Sequence, residues 1–343
     1  MNKWRLKSGK DEDVILSTRI RLARNLKGFR FPNTFDREES KLVDELINIS
    51  VDKLYPGEYK HFFLKEMNNY SRVLMENHLI SPELIKNKDF SSYCLKDDES
   101  VNIMINEEDH LRLQVLESGL ALEDAYEKAA SICRDLETQV DFSYHHEFGY
   151  LTACPTNTGT GLRASVMMHL PAIKHSGMMP GLIDSLGKLG VTVRGIYGEN
   201  SSAIGDLFQI SNQRTLGMTE KEVVIKLKML ANRITENERK LRDGFKESHP
   251  LDFEDKVYRS LGLLKYSRLI SEKEALECLS YLRVGICEGL YDGLSIKQVT
   301  DLIFNLQKYN ILKYKKDMKI DGNENSARSH YIDSYFREVG IDG

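Results

Sequence analysis

The chain has 343 residues and carries 48 Lys and Arg against 52 Asp and Glu, a net charge of −4 that argues against a general nucleic-acid binder. Its length suits two domains rather than one small core, and no apolar run approaches membrane-spanning length, so neither a membrane protein nor a secretory leader is expected. Cysteines 94, 133, 154, 278 and 287 form no Cys-x-x-Cys pair, so no zinc site or disulfide framework is expected, and a reducing cytoplasm is the natural compartment.

In Leu16–Leu22, period-two alternation predicts a strand with Leu16, Thr18, Ile20 and Leu22 on one face and Ser17, Arg19 and Arg21 on the other. Residues 36–54 predict a helix, with apolar spacing through Leu42, Leu46 and Ile49 and with Asp36 and Glu39 as a capping pair. Val101–Ile105 and Leu111–Val115, separated by Asn-Glu-Glu-Asp-His, read as an antiparallel hairpin. Its Leu111, Leu113 and Val115 face inward, and Arg112 and Gln114 face away. A helix follows over 120–140, carried by Leu122, Ala125, Ala129, Ile132 and Leu136, and Val191–Tyr197 reads as a further strand. Thr219-Glu-Lys-Glu222 is a capping box opening a helix to about Arg242. Beyond Gly244 the strand pattern disappears. Ser271 and Ser295 cap two more helices, and the polar stretch after Lys313 reads as a loop feeding a short final helix. The expected class is α+β: an antiparallel sheet layered with helices over residues 1–243, then an all-helical domain over 244–343.

No Gly-x4-Gly-Lys-Ser/Thr, His-Arg-Asp or Asp-Phe-Gly is present, which removes the P-loop and protein-kinase folds. Gly159-Thr-Gly-Leu-Arg-Ala164 fits a dinucleotide fingerprint. However, Pro171 would end the required helix early, and Asp184 lies in a helical pattern rather than at a strand end. What stands out is five arginines, Arg19, Arg21, Arg112, Arg163 and Arg194, each on or beside a strand. Arginine suits a half-buried sheet face only when a counter-charge covers it. A carboxylate opposite each one is the plain alternative, but no acidic cluster of similar size accompanies them, and a nucleoside triphosphate would hold all five. Glu108 at the hairpin tip and Glu199 at the end of the Arg194 strand are candidate catalytic carboxylates. Taken alone, Cys154 reads as a small buried residue rather than a nucleophile, and His78 reads equally well as a helix-end histidine.

Cys154-Pro-Thr-Asn-Thr-Gly-Thr160 resembles the signature of the phosphagen (guanidino) kinases. Together with Ser17-Thr-Arg-Ile-Arg-Leu-Ala-Arg-Asn25, Asn106-Glu-Glu-Asp-His110, Gly161-Leu-Arg-Ala-Ser-Val-Met167 and Arg194-Gly-Ile-Tyr-Gly-Glu199, it looks like the bacterial protein-arginine kinases of that superfamily, over residues 14–312. The resemblance implies a catalytic sheet similar to that of glutamine synthetase. The activity it implies is transfer of the γ-phosphoryl of ATP, with Mg2+, to arginine guanidinium groups in proteins. Carried over by motif, ATP would be lined by Ser17, Thr18, Arg19, Ile20 and Arg21, by His78 and Arg112, and by Arg163, Ala164, Ser165, Val166 and Met167. Arg194, Gly195, Ile196, Tyr197, Gly198 and Glu199 complete that lining, with Arg72 a lesser candidate. Glu108 and Glu199 would be the catalytic carboxylates and Cys154 a contact of the guanidinium; no residue is assigned to bind metal.

Small-molecule phosphagen kinases carry a helical domain before the sheet. Here the first arginine strand starts near residue 14, so an uncovered site open to a protein side chain is expected. A metabolite guanidino kinase and a catalytically silent arginine-binding adaptor are the competing readings. The resemblance further implies a zinc-binding activator protein and a Clp-type protease that degrades the marked substrates under stress; a homodimer is a separate expectation. One departure concerns the family's C-terminal Arg-Asp-x-x-Arg-Ala motif, an allosteric phosphoarginine pocket. It is replaced by Asn323-Glu-Asn-Ser-Ala-Arg-Ser-His330, in which Arg328 alone keeps a matching charge.

Overall fold

The alternating arginine segment forms strand β1 (Ile15–Arg24), and it lies in the middle of a sheet. The structure, a computed structural model, describes residues 3–67, 70–195 and 203–341. The strands that follow are β2 (Tyr59–Phe63), β3 (Ser92–Lys96), β4 (Val101–Ile105), β5 (Leu111–Ser118), the short pair β6 (Tyr144–His145) and β7 (Gly149–Tyr150), β8 (Leu162–His169), β9 (Val191–Gly195) and β10 (Leu207–Asn212). Among the described residues, eight of them form one sheet in the order β2-β3-β4-β5-β1-β8-β10-β9, with every neighbouring pair antiparallel.

One face of the sheet is covered by α1 (Arg37–Leu54), α4 (Leu122–Glu137) and α7 (Glu220–Ser248). Val43 and Ile47, Ala129 and Leu136, and Val223 and Leu227 pack there against Ile20, Leu22, Leu113 and Val166 in a continuous apolar core. Each buried Val, Leu or Ile side chain there contributes roughly 1.5–3 kcal/mol, which fixes which face of each strand points inward. The opposite face is apolar only at its margins, where Tyr93, Met104, Leu116, Met167 and Leu207 join Trp4, Leu79 and the C-terminal helices. Those helices are α8 (Pro250–Tyr266), α9 (Glu272–Cys287), α10 (Ile296–Asn305), α11 (Lys308–Asp317) and α12 (Glu324–Glu338). Shorter helices α2 (Tyr70–Glu76), α3 (Pro82–Lys86), α5 (Pro171–His175) and α6 (Met179–Lys188) flank the sheet.

Four expectations change in detail. The register slips between Ile15 and Ser17, so Leu16 turns away from Ile20 and Leu22 and packs in the second core with Trp4, Leu116 and Met167. In α1 the buried stripe is Val43, Ile47 and Val51, while Leu42, Leu46 and Ile49 are exposed. The buried face also carries Asp44, whose carboxylate accepts from Ser92 and pairs with His61, and this polar content hid the stripe from an apolar count. Asp36 does cap α1, but Glu39 turns to Arg30 rather than closing a capping box. The polar tail folds: α11 runs to Asp317, and Asn323 caps the fifteen-residue α12. Helix α7 is continuous through residue 243, where the sequence places a domain boundary.

Candidate active site

The sheet face left open between the two cores carries the arginines. Alternation along β1 sends Ser17, Arg19 and Arg21 to this face, and the antiparallel register places Arg21 opposite Arg163 and Arg19 opposite Ser165 on β8. On β5, Arg112 and Gln114 point the same way, with Gln114 opposite Arg21. Four guanidinium groups from three adjacent strands therefore converge. Burial and the charges of Arg112 and Arg163 pull Arg19 down to about 10. Arg21 is pulled well below its ordinary range by burial and by Arg19, Arg112 and Arg163, against a smaller opposing pull from Glu107. Such concentration of like charge is costly without an anion to answer it.

Carboxylates do not answer all of it. Arg112 pairs with the buried Glu107 at 2.5 Å, and Glu107 also accepts from Ser81. Arg19 donates to Gln209 at 2.9 Å, and neither Arg19 nor Arg21 has an ion pair to a described residue. The Nε of Arg21 and the Nε of Arg112 are buried without a hydrogen-bond partner among the described residues. The remaining sequence candidates divide by strand parity. Met167 joins the arginine face, while Thr18, Ile20, Ala164 and Val166 are fully buried and point the opposite way. Arg194 and Gly195 lie on β9, with Arg194 opposite Gln209. Ile196, Tyr197, Gly198 and Glu199 lie outside the described residues. Arg72 is not part of the cluster: it donates to the Tyr309 hydroxyl at 2.8 Å and stacks on that ring.

His78 follows α2 in a left-handed conformation, φ +57°, that a residue with a side chain adopts at a cost. Burial, with Arg19 and Arg21 nearby, pulls its imidazole down to about 3, so the ring is neutral at pH 7. Its Nε2 is buried without a hydrogen-bond partner among the described residues. His78, Ser17, Arg19, Ser165, Met167, Gln209 and Trp4 line one narrow cavity. Among the described residues, orphaned nitrogen atoms on His78, Arg21 and Arg112, with no carboxylate paired to Arg19 or Arg21, fit a polyanion laid on this face.

At the edge of this face stands the β4–β5 hairpin tip. Glu108 is partly exposed, 3.9 Å from Arg112, and the Asn157 amide donates to it at 3.5 Å. Asn157 belongs to the loop bearing Cys154, and its backbone N–H donates to the Cys154 carbonyl. The Cys154 Sγ lies 3.0 Å from the Thr156 hydroxyl. Asp109 ties the two loops together, with one oxygen accepting from Ala153 N–H at 2.7 Å and from the Asn25 amide at 2.6 Å. The glycines of this segment have steric work to do. Gly159 (φ +113°) lies against Thr215, where a Cβ would come within 2.3 Å of a carbonyl oxygen, and Gly161 (φ +62°) lies against Ala23. Gly161 then leads directly into strand β8, so the dinucleotide fingerprint has no helix to open.

Sequence reading did not single out Glu107, Asp109, Asn25, Gln209 or Trp4. Glu107 and Asp109 sit inside the motif that was read, but only three-dimensional placement separates the buried pair from the partly exposed Glu108. Arg328 is fully buried, and its guanidinium donates to the carbonyls of Leu306 and Ile270 and to Glu324, so it braces the helical unit. Among the described residues no helix is long and apolar enough to cross a membrane.

Comparison with known proteins agrees with this architecture. Residues 39–241 match the family described as ATP:guanido phosphotransferase, C-terminal catalytic domain, and residues 250–341 match the protein-arginine kinase McsB C-terminal domain. A protein-arginine kinase of Clostridium acetobutylicum is 40% identical over 336 residues, 97% of this chain and 98% of the relative. One from Halalkalibacterium halodurans is 44% identical over 317 residues, covering 92% and 89%. Among solved structures, lombricine kinase superposes with a TM-score of 0.61 at 27% identity, over 69% of each chain. The substrate-free duplicated taurocyamine kinase of Schistosoma mansoni shares the fold, with a TM-score of 0.60 at 24% identity, over 76% of this chain and 40% of that one. The chain belongs to the ATP:guanido phosphotransferase family and, within it, to the protein-arginine kinases.

Proposed function

We propose that this protein transfers the γ-phosphoryl group of ATP to the guanidinium of arginine residues in proteins. The observation that carries the reading is the convergence of Arg19, Arg21, Arg112 and Arg163 on one sheet face beside the Glu108 hairpin. These arginines, with His78 and Arg194, hold the triphosphate. Their planar forks match phosphate oxygens and offset the charge of the transferring group. Among the described residues no group of three or more His, Cys, Asp or Glu could hold a metal. Magnesium would enter on the phosphate oxygens of ATP, and no step is assigned to it.

The acceptor is a difficult nucleophile. A guanidinium near pKa 12.5 and a glutamate near 4.3 differ by roughly 8 pH units, about 11 kcal/mol, so the proton does not leave before attack. Glu108 and Glu199 grip the guanidinium fork and aim one nitrogen at the γ-phosphorus. As the N–P bond forms and the bond to the ADP oxygen breaks, Glu108 accepts the proton. Cys154, in the loop tied to Glu108 through Asn157, contacts the same guanidinium. Positioning and electrostatics supply most of the acceleration.

The reading extends to the catalytic and helical division near residue 243, a cytoplasmic setting, a homodimer, a zinc-binding activator, and a Clp-type protease that removes marked proteins under stress. The loss of the strand pattern after Gly244 supports the division and the lack of a Cys-x-x-Cys pair the compartment, and the family resemblance supports the activator and the protease. The test is incubation with ATP and either an unfolded protein or free arginine, followed by assay for acid-labile phosphate on arginine. Label on protein supports the proposal. Label on free arginine alone makes this a metabolite kinase, and none on either makes it a silent adaptor.

A further inference from the structure

The helical unit reaches the arginine face through α10. Phe304 of α10, 1% exposed, stands nearly perpendicular to the His78 ring, with centroids 5.6 Å apart and planes at 87°. The same phenyl ring meets Trp4 edge-on at 6.1 Å and lies under the Arg5 guanidinium at 5.5 Å. Arg5 fixes this corner by donating to Asp301 and Asn305 of α10 and to Asn77, the neighbour of His78. From the other side, the Glu76 carboxylate accepts from the Tyr309 and Asn310 backbone N–H groups at the start of α11. The backbone at His78 is thus clamped by the helical unit on one side and by Gln114 of β5, which donates to its carbonyl at 2.7 Å, on the other.

We infer that Phe304 is a positioning residue for the nucleotide site: it holds the His78 ring at the tilt that faces Arg19 and Arg21, so the helical unit completes the site from outside the sheet. The inference rests on the reading above that the arginine face takes the phosphates of ATP. His78 occupies a left-handed backbone conformation, and its ring makes no hydrogen bond through Nε2 to a described residue, so packing has to set its orientation. Phe304 is the ring packed across it, and Trp4, the wall of the same cavity, packs on Phe304.

The test uses the full chain. Trp4 is the one tryptophan in the sequence and lines the cavity, so its fluorescence reports ATP binding, checked by calorimetry. Phe304→Leu keeps apolar bulk and removes the ring. The expected result is an ATP dissociation constant raised about threefold to tenfold, the worth of one aromatic contact, with kcat at saturating ATP retained. His78→Ala should weaken ATP on its own, and adding Phe304→Leu to it should cause no further loss, because Phe304 acts through His78. Phe304→Met, equally ring-free, repeats the measurement should the leucine variant fold poorly. Unchanged ATP affinity in the ring-free variant overturns the inference, as does equal weakening with and without His78. Failure of the unaltered protein to bind ATP overturns the nucleotide reading itself, a distinct outcome.

Discussion

Arg21 on β1 and Arg163 on β8 are register partners across an antiparallel pair and share the open face of the sheet. Like charges directly opposite each other weaken a sheet, and here Arg19 and Arg112 add to the crowding. The sheet tolerates the arrangement because its other face is a continuous core. An anion on the open face should therefore strengthen the fold as well as occupy the site.

That relationship predicts a stability response. ATP at about one hundred times its dissociation constant should stabilise the protein by about 2.7 kcal/mol, a rise of a few degrees in Tm, less at high salt. Arg21→Met should raise the Tm of the ligand-free protein at low salt and abolish most of the ATP-induced rise. A lower ligand-free Tm with the full ATP response retained would show that Arg21 serves the fold and not the anion.

Glu107 predicts a different outcome, because its partner is buried. Glu107→Gln leaves the Arg112 guanidinium short of its counter-charge and should cost about 3–5 kcal/mol in urea unfolding. Burial raises the Glu107 carboxyl, but Arg112, with the Ser81 hydroxyl, outweighs this and holds it below the ordinary glutamate range. The stability it contributes is present above that ordinary range and fades as pH falls through the lowered value. The glutamine variant should therefore show a flatter acid limb. A loss under 1 kcal/mol would mean that Arg112 finds its counter-charge elsewhere.

The parity of strands explains how much of this was legible in the sequence. Arg19, Arg21 and Arg112 declared their face because hydrophobic residues alternate with them, and the hairpin was bounded by its five-residue turn. The helix α1 was legible in position but not in rotation. Leu42, Leu46 and Ile49 are at least as large as Val43, Ile47 and Val51, and nothing local says that Asp44 has Ser92 and His61 waiting for it. Contiguous motifs misled in the same way, since Thr18, Ile20, Ala164 and Val166 share a segment with the site but face the core. Phe304 gave no signal, because its partner His78 is 226 residues earlier in the chain and only folding brings the two rings together.

Glu108 separates binding from chemistry. Its carboxylate is partly exposed and lies beyond the arginine cluster, so Glu108→Gln should leave ATP affinity within about twofold while lowering kcat by 10²–10⁴-fold, the usual range for a lost general base. Single-turnover assays of phosphoarginine formation at saturating ATP read this directly. Weakened ATP binding with a normal single-turnover rate would move Glu108 from proton transfer to nucleotide recognition.

Asp109 supplies a pH dependence of opposite sign to Glu107. It is 1% exposed, with one oxygen shared by Ala153 N–H and the Asn25 amide and the other without a hydrogen-bond partner among the described residues. Burial, reinforced by the nearby Glu108 charge, outweighs those two hydrogen bonds and pushes its carboxyl up to about 6. A carboxyl raised on folding keeps its proton longer in the folded state, so its contribution is greatest in acid and is lost as pH rises towards 6. The full displacement is worth about 3 kcal/mol, of which about 1 kcal/mol falls between pH 5 and pH 7. Asp109→Asn removes the titration while keeping a carbonyl oxygen for Ala153 and Asn25. The stability of the natural protein relative to this variant, measured by urea unfolding, should therefore drop by about 1 kcal/mol from pH 5 to pH 7. A difference that stays level or grows over that interval would show that Asp109 is ionised throughout, and that its second oxygen has found a donor.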